Sequence, residues 1–374
     1  MRNSLGLLLR RGTVSAFSLA SLCVPGGPVA AAPAPPGADA GARVAAEAEG
    51  LPFAQRYRAL RHGGIVRAAN VSVTCRGPLA PTTVSCPAAQ AGAAAPNDGF
   101  DMFYTDVDSD PNTYNSSRAT VALPAGAEVA YARLYWGGNL RAGEQKPPRD
   151  NGRVLFAEPG GRYKEVLADT VVGHRVARDA DAYQASADVT PLVRSSGAGA
   201  YTVAQVNVAM GHSAAGAWGG WTLVVAYEKE SEPLRHLAVW DGFGPLGPGD
   251  DQVVRMHDLD FPAGAAGRVG LVAYDGDRGR TGDSLTVSDG WGLPVPLGDG
   301  ANPRDDVLNS TIGEADGTAS ARTPSYPNTL GYDSDVLDLD EGLRFGGDRL
   351  EFRLASRRDA AWAGALFVAV DAKR

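Results

Sequence analysis

Glycine and proline interrupt this chain at 47 and 25 of its 374 positions, and the longest stretch free of both is His174 to Thr190. Either residue inside a helix costs about 1–3 kcal/mol, so few windows are left for a helix of three turns. The one long window has no apolar stripe of period 3.6. Strand-length runs between turns recur instead. Val129 to Trp136 alternates by period two, placing Ala130, Ala132, Leu134 and Trp136 on one face and Tyr131 and Arg133 on the other. Thr222 to Tyr227, Val269 to Tyr274 and Ala365 to Val370 are unbroken apolar runs, the pattern of inner strands in a sandwich. The predicted fold class is all-β.

The first residues read as an export signal. Arg2, Arg10 and Arg11 make a basic start, Thr13 to Val24 is apolar and small, and Val29-Ala30-Ala31 offers small residues where signal peptidase needs them. Cleavage between Ala31 and Ala32 is expected. Pro25 and Gly26-Gly27 leave the apolar run too short to span a bilayer, so no membrane span is expected in the mature chain. Loss of residues 1–31 takes away three arginines and no acid and moves the formal charge from −8 to −11. Such a surface is a poor partner for nucleic acid. The protein is expected to be secreted or extracellular, associated with the cell surface.

Residues 32–50 are rich in alanine, proline and glycine, the composition of a disordered linker. Beyond them a faint duplication sets Trp218-Gly219-Gly220-Trp221-Thr222-Leu223-Val224 against Trp362-Ala363-Gly364-Ala365-Leu366-Phe367-Val368. This predicts two β-sandwiches of jelly-roll type, at 51–230 and 231–374. Thr190 and Pro191 are suited to cap and open one helical turn. After cleavage only Cys75 and Cys86 remain, and ten residues between two cysteines in an oxidising compartment read as a disulfide.

Two resemblances follow. Tyr131-Ala132-Arg133-Leu134-Tyr135-Trp136 with Ala187-Asp188-Val189-Thr190-Pro191-Leu192-Val193 resembles the galactose-binding-like jelly rolls found beside many glycosidases. More broadly, Pro52-Phe53, Cys75, Tyr135-Trp136-Gly137, Trp221-Thr222-Leu223-Val224-Val225, Asp241-Gly242-Phe243, Gly282-Asp283-Ser284-Leu285 and Leu330-Gly331-Tyr332-Asp333 are together similar to an uncharacterised module of secreted actinobacterial surface proteins. That family implies no activity. Its members usually carry repeated surface domains after the module; Asp371-Ala372-Lys373-Arg374 offers no sorting motif, so covalent attachment to the wall is not expected.

Several motifs suggest chemistry. Gly282-Asp283-Ser284-Leu285 spells an esterase nucleophile block, but such a serine needs a histidine base, and none follows His257; a turn is the expectation. Gly211-His212-Ser213-Ala214-Ala215-Gly216 lacks the second glycine of a nucleophile elbow. Asp106-Val107-Asp108-Ser109-Asp110, then Asp275, Asp277 and Asp283, then Asp333, Asp335, Asp338 and Asp340, cluster carboxylates as calcium loops do. Asp275, Asp277 and Asp283 are the candidate calcium set, against the alternative that aspartate favours turns. Tyr135, Trp136, Trp218, Trp221, Trp240 and Trp291 are candidates to stack on sugar rings, but several lie in apolar strand contexts, so core packing is the default expectation. The expected function is therefore a non-catalytic binding or structural module whose partner is cell-wall or extracellular glycan or another surface protein. The alternatives are a carbohydrate-binding protein and a glycosidase-like hydrolase. Protein recovered from culture medium should begin near Ala32 by N-terminal sequencing; Met1 retained on a cytoplasmic species would end the export reading.

Overall fold

The computed structural model describes residues 45–373 except 82, 170, 292, 319 and 320. The expected signal segment and its cleavage point at Ala31 and Ala32 lie outside the described residues. From residue 42 onward the chain is one compact unit. It is all-β, as the glycine and proline spacing predicts, with two short α-helices among the described residues, Cys86–Gln90 and Thr190–Ser196.

Four layers stack, the two inner ones being halves of one 11-stranded sheet, here called the first and second inner sheets. The first inner sheet contains the strands Val171–Ala177, Ala180–Asp188, Glu128–Asn139 and Gly219–Glu228, and the second contains Leu234–Leu246, Ala361–Asp371 and Gly267–Tyr274. The strand Leu51–Val71 belongs to both. Residues 51–62 pair with Leu234–Phe243, and residues 63–71 pair with Gly220–Glu228. Outside the first inner sheet lies Arg322–Thr323, Ser116–Val121, Gly199–Ala204, Arg153–Ala157 and Lys164–Leu167 in that order; outside the second lies Gln252–Met256, Leu350–Ser356, Asp283–Ser288 and Val295–Pro296.

Three apolar cores fill the gaps. Ala132, Leu134, Trp136, Trp221, Leu223 and Val225 face Val121, Phe156, Tyr201 and Val203 of the first outer sheet. Ala238, Leu271, Leu366 and Val368 face Val254, Leu285, Val287 and Phe352 of the second. Between the inner sheets, Tyr135, Val224 and Trp218 meet Val239, Val272, Tyr274, Trp362 and Phe367. Each inner sheet is thus covered on both faces, which is why its strands read as continuous apolar runs instead of alternating with polar residues. Val129 to Trp136 does alternate, yet both faces are covered from Ala132 onward, and only Ala130 and Tyr131 are partly exposed. A bulge at Ala130 shifts the register, so Val129 and not Ala130 joins Ala132, Leu134 and Trp136 in the first core.

Polar groups cross the central layer. Arg133, 3% exposed, clamps Asp169 through both guanidinium nitrogens at 2.8 and 3.1 Å and reaches Asp241 of the opposite inner sheet at 3.3 Å. Arg56 also donates to Asp241. Gln184 spans the same gap, donating to the carbonyls of Gly242 and Gly364 and accepting from the Tyr274 hydroxyl, each at 2.9 Å.

Other expectations are refined. Ala46–Ala48, inside the stretch read as linker, pairs in parallel with Val171–Gly173; backbone pairing and the Glu47–His174 contact at 3.2 Å hold it where no apolar run does. Thr190 does not cap its helix: its hydroxyl is taken by the Ala132 N–H at 2.9 Å, across from the strand Glu128–Asn139. Cys75 and Cys86 form the expected disulfide, with Cα atoms 5.7 Å apart, tying the helix Cys86–Gln90 to the hairpin of Val73–Pro78 and Phe100–Tyr104.

The handover along Leu51–Val71 depends on Gly63. A β-carbon there would stand 2.0 Å from the Tyr227 carbonyl oxygen, a backbone atom of the neighbouring strand, and φ is +154°. Gly63→Ala should therefore destabilise the fold by about 2 kcal/mol or more. Chemical denaturation of the two proteins, compared at equal slope, checks this.

Candidate functional site

The three aspartate clusters fare differently. In Asp106 to Asp110 the carboxylates serve their own loop. Asp108 accepts from Asp110 N–H and Thr113 Oγ1 at 2.8 and 3.0 Å, and Asp106 accepts from Ser116 Oγ at 2.6 Å. This is the turn chemistry weighed as the alternative. In the third group Asp333 and Asp335 are fully buried, whereas Asp338 is on the surface with Arg268 at 3.2 Å.

The candidate calcium residues are all buried, at 5%, 3% and 1% exposure for Asp275, Asp277 and Asp283. Asp275 and Asp277 share a donor, Asn97, whose Nδ2 lies 3.0 Å from one and 3.2 Å from the other and whose backbone N–H reaches Asp277 at 2.9 Å. Asp283 turns away to the backbone N–H of Leu308. Among the described residues no three carboxylate, histidine or cysteine side chains gather in a group that could hold a metal ion.

What Asp275 and Asp277 do line is a cavity of about 280 Å³, together with Asn97, Arg178, Arg280 and Asp359. Asp277 N–H donates to Asp359 Oδ2 at 2.9 Å, and Arg280 lies 3.0 Å from Asp277 and 3.5 Å from Asp359. Burial, together with the charge of Asp359, raises the Asp277 carboxyl above its ordinary value, and Arg280 pulls the other way. Asp359 is raised by the same desolvation. Asp275 sits in left-handed backbone, φ 65°, and burial raises it further, helped by Asp277. Asn97 enters this cavity only because residue 216 is glycine: a β-carbon there would lie 1.3 Å from Asn97 Oδ1. Asn97, Arg280 and Asp359 were invisible to motif reading, since the first lies 180 residues from its partner Asp277.

The nucleophile-like serines lie elsewhere. Ser284 is in the strand Asp283–Ser288, opposite Ala355, so the turn expected for Gly282-Asp283-Ser284-Leu285 is corrected to a strand edge. It is drawn in by the alternation of Asp283, Leu285 and Val287 toward the interior. Ser213 Oγ donates to the Gly216 carbonyl at 3.0 Å in its own loop.

The aromatic candidates divide cleanly. Tyr135, Trp136, Trp218 and Trp221 are fully buried, the core packing expected of them by default. Trp240 is half-buried against the second core. Trp291 stands 73% exposed, and Leu293, two residues on, 89% exposed. It is the tip of the loop between Asp283–Ser288 and Val295–Pro296. That loop walls a cleft of about 310 Å³ lined by Arg255, His257, Ser288, Gly290, Pro294, Arg349 and Glu351. Sequence did hold a signal here: Trp291 is flanked by Gly290 and Gly292 in a turn-rich stretch, while the other tryptophans adjoin apolar strands. A larger cavity of about 550 Å³ is lined by Leu60, Arg61, His62, Glu128, Glu228 and Lys229; there Arg61 and Glu228 pair with each other at 3.0 Å.

No family model matches the chain, and no curated protein does. Among solved structures, one of peptide-N(4)-(N-acetyl-β-D-glucosaminyl) asparagine amidase is similar at 12% identity and a TM-score of 0.22, covering 83% of this chain and 97% of that one. A recombinant peptide:N-glycanase F gives 12% identity and a TM-score of 0.20, over 72% and 95% of the two chains. A structure of Sulfolobus turreted icosahedral virus gives 8% and 0.19, over 83% and 91%. Likeness at this level decides no function.

The buried aspartates predict a pH dependence. Burial, aided by the charge of Asp306 and opposed by the Leu308 N–H, pushes Asp283 from 3.8 up to about 7, and Asp275, Asp277, Asp333, Asp335 and Asp359 are raised in the same direction by desolvation. A carboxyl that holds its proton more tightly when folded stabilises fully below 3.8, and that contribution is lost as pH rises through about 7. His236, lowered by burial, works in the opposite sense on the acid side. Tm should be higher at pH 5 than at pH 8, and Asp283→Asn should flatten the difference. If instead millimolar calcium at pH 8 restores the lost Tm by mass action, and Asp283→Asn abolishes that gain, a cation and not a proton neutralises these groups.

Proposed function

We propose that the protein is a secreted, surface-associated binding module with no turnover of its own, engaging its partner through the end of the second outer sheet. One observation carries this reading. Trp291 stands in water directly after Gly290, a lining residue of the cleft of about 310 Å³, whereas Trp136, Trp218, Trp221 and Trp362 are fully buried. An exposed indole with Leu293 exposed two residues on gives a contact surface that water solvates poorly, the usual mark of an interaction site. The Cys75–Cys86 disulfide supports an oxidising compartment. No helix of the described residues is long and apolar enough to cross a membrane. The similarity to secreted actinobacterial surface proteins points the same way.

A second reading, a glycosidase-like hydrolase, rests on Asp277 and Asp359, two buried carboxyls with raised affinity for protons held on one arginine beside a cavity. Against it, Asp277 is only 3% exposed and its oxygens already accept from Asn97 and Arg280. These groups latch segments distant in sequence.

Purified mature protein should co-sediment with insoluble cell-wall material while Trp291→Ala loses retention at least tenfold, and should release no product from ester, peptide or polysaccharide substrates. Turnover that vanishes in Asp359→Asn would establish the hydrolase reading instead.

A further inference from the structure

The cleft beside Trp291 carries charge opposite to that of the molecule around it. The chain has a formal charge of −8, yet the lining of this cleft holds Arg255, His257 and Arg349 against one acid, Glu351. Asp258 and Asp348, neighbours of lining residues in sequence, lie outside it. Arg255 is spent on Glu351, its Nε 2.7 Å from Oε2. That leaves Arg349 and His257. Arg349 is exposed, packs its guanidinium on Gly290, and ends in no ion pair among the described residues. His257 is exposed and turns its backbone carbonyl, not its ring, to Arg58.

The walls suit a sugar. They come from rigid elements: Arg255 from Gln252–Met256, Glu351 from Leu350–Ser356, and Ser288 from the end of Asp283–Ser288. Strand-borne groups hold their spacing better than loop-borne ones. Trp291, next in sequence to the lining residue Gly290, offers an exposed flat apolar face close to Gly347, where a β-carbon would lie 3.7 Å from the indole Nε1. An indole stacks on the C–H face of a pyranose, while forked guanidinium donors match a carboxylate in two parallel hydrogen bonds.

We propose that this cleft binds an acidic glycan, a chain of carboxylated sugar residues, with Trp291 stacking on a ring, Arg349 holding the carboxylate and His257, Ser288 and Glu351 meeting hydroxyls. The inference rests on the binding reading above and names the ligand class for the same site. Two acidic surfaces would otherwise repel, so a cationic cleft on an anionic protein confines contact with such a polymer to this one place. The attraction should weaken with salt, as exposed charge pairs do.

The test compares polygalacturonate with a neutral galactan at equal chain length, read by intrinsic tryptophan fluorescence and affinity electrophoresis. Wild type should bind the acidic polymer at least tenfold more tightly than the neutral one. Arg349→Gln should erase that preference while leaving the weaker neutral binding, His257→Gln should reduce it, and Trp291→Ala should abolish both along with the fluorescence change. All three residues are exposed, and the circular dichroism and Tm of each variant should match wild type. Equal affinity for the two polymers, unchanged in Arg349→Gln, would overturn the acidic assignment. Retention on cell-wall material that depends on Trp291 but is competed by neither polymer would overturn the glycan altogether, assign the cleft to a protein partner and leave the binding reading standing.

Discussion

The fold depends on one strand being shared. Leu51–Val71 hydrogen-bonds to Leu234–Phe243 along its first part and to Gly220–Glu228 along its second, so neither inner sheet is complete without it. Because the strand runs out of one sheet and into the other, the two inner sheets must lie face to face at a fixed angle. Everything in the central layer, from Tyr135 to Phe367, then has to pack at that angle. Gly63 is where the change of partner happens, and the close approach to Tyr227 leaves no room for a side chain.

A layer made only of apolar side chains tolerates sliding. The central layer does not, because Arg133, Asp241 and Gln184 cross it with directional bonds. Removing one member would leave its partner a bond short. Asp241→Ala takes one of two carboxylates from the buried Arg133, which keeps Asp169 and the Ser186 hydroxyl, and removes the carboxylate to which Arg56 donates. The balance of charge with charge across this layer is what permits an arginine with 3% exposure.

The fold class was legible because glycine and proline spacing excludes helices and because apolar runs have strand length. The layer count was not. An apolar run says that both faces are buried but not by what: core packing is the default for Tyr135 and Trp136, yet only the structure shows that the second inner sheet covers one and the first outer sheet the other. The disulfide was legible because two cysteines leave one pairing. The aspartates were misleading for a physical reason: Asp-x-Asp spacing records that carboxylates are near one another in sequence, while their donors, Asn97 and Leu308, arrive from elsewhere. Arg349, His257 and Glu351 carry no motif, since they meet only when Gln252–Met256 pairs beside Leu350–Ser356.

The same shared strand has a mechanical consequence. Leu51–Val71 and Ala361–Asp371 flank Leu234–Leu246, both antiparallel to it, and so run in the same direction. The first enters the sheet near Phe243, and the last leaves it near Arg235, at the opposite end. Tension drawn between Leu51 and Asp371 is directed along the strands and across their hydrogen bonds. The bonds are then loaded together in shear, and none can open first like the teeth of a zip. The chain would resist extension most strongly in just this direction.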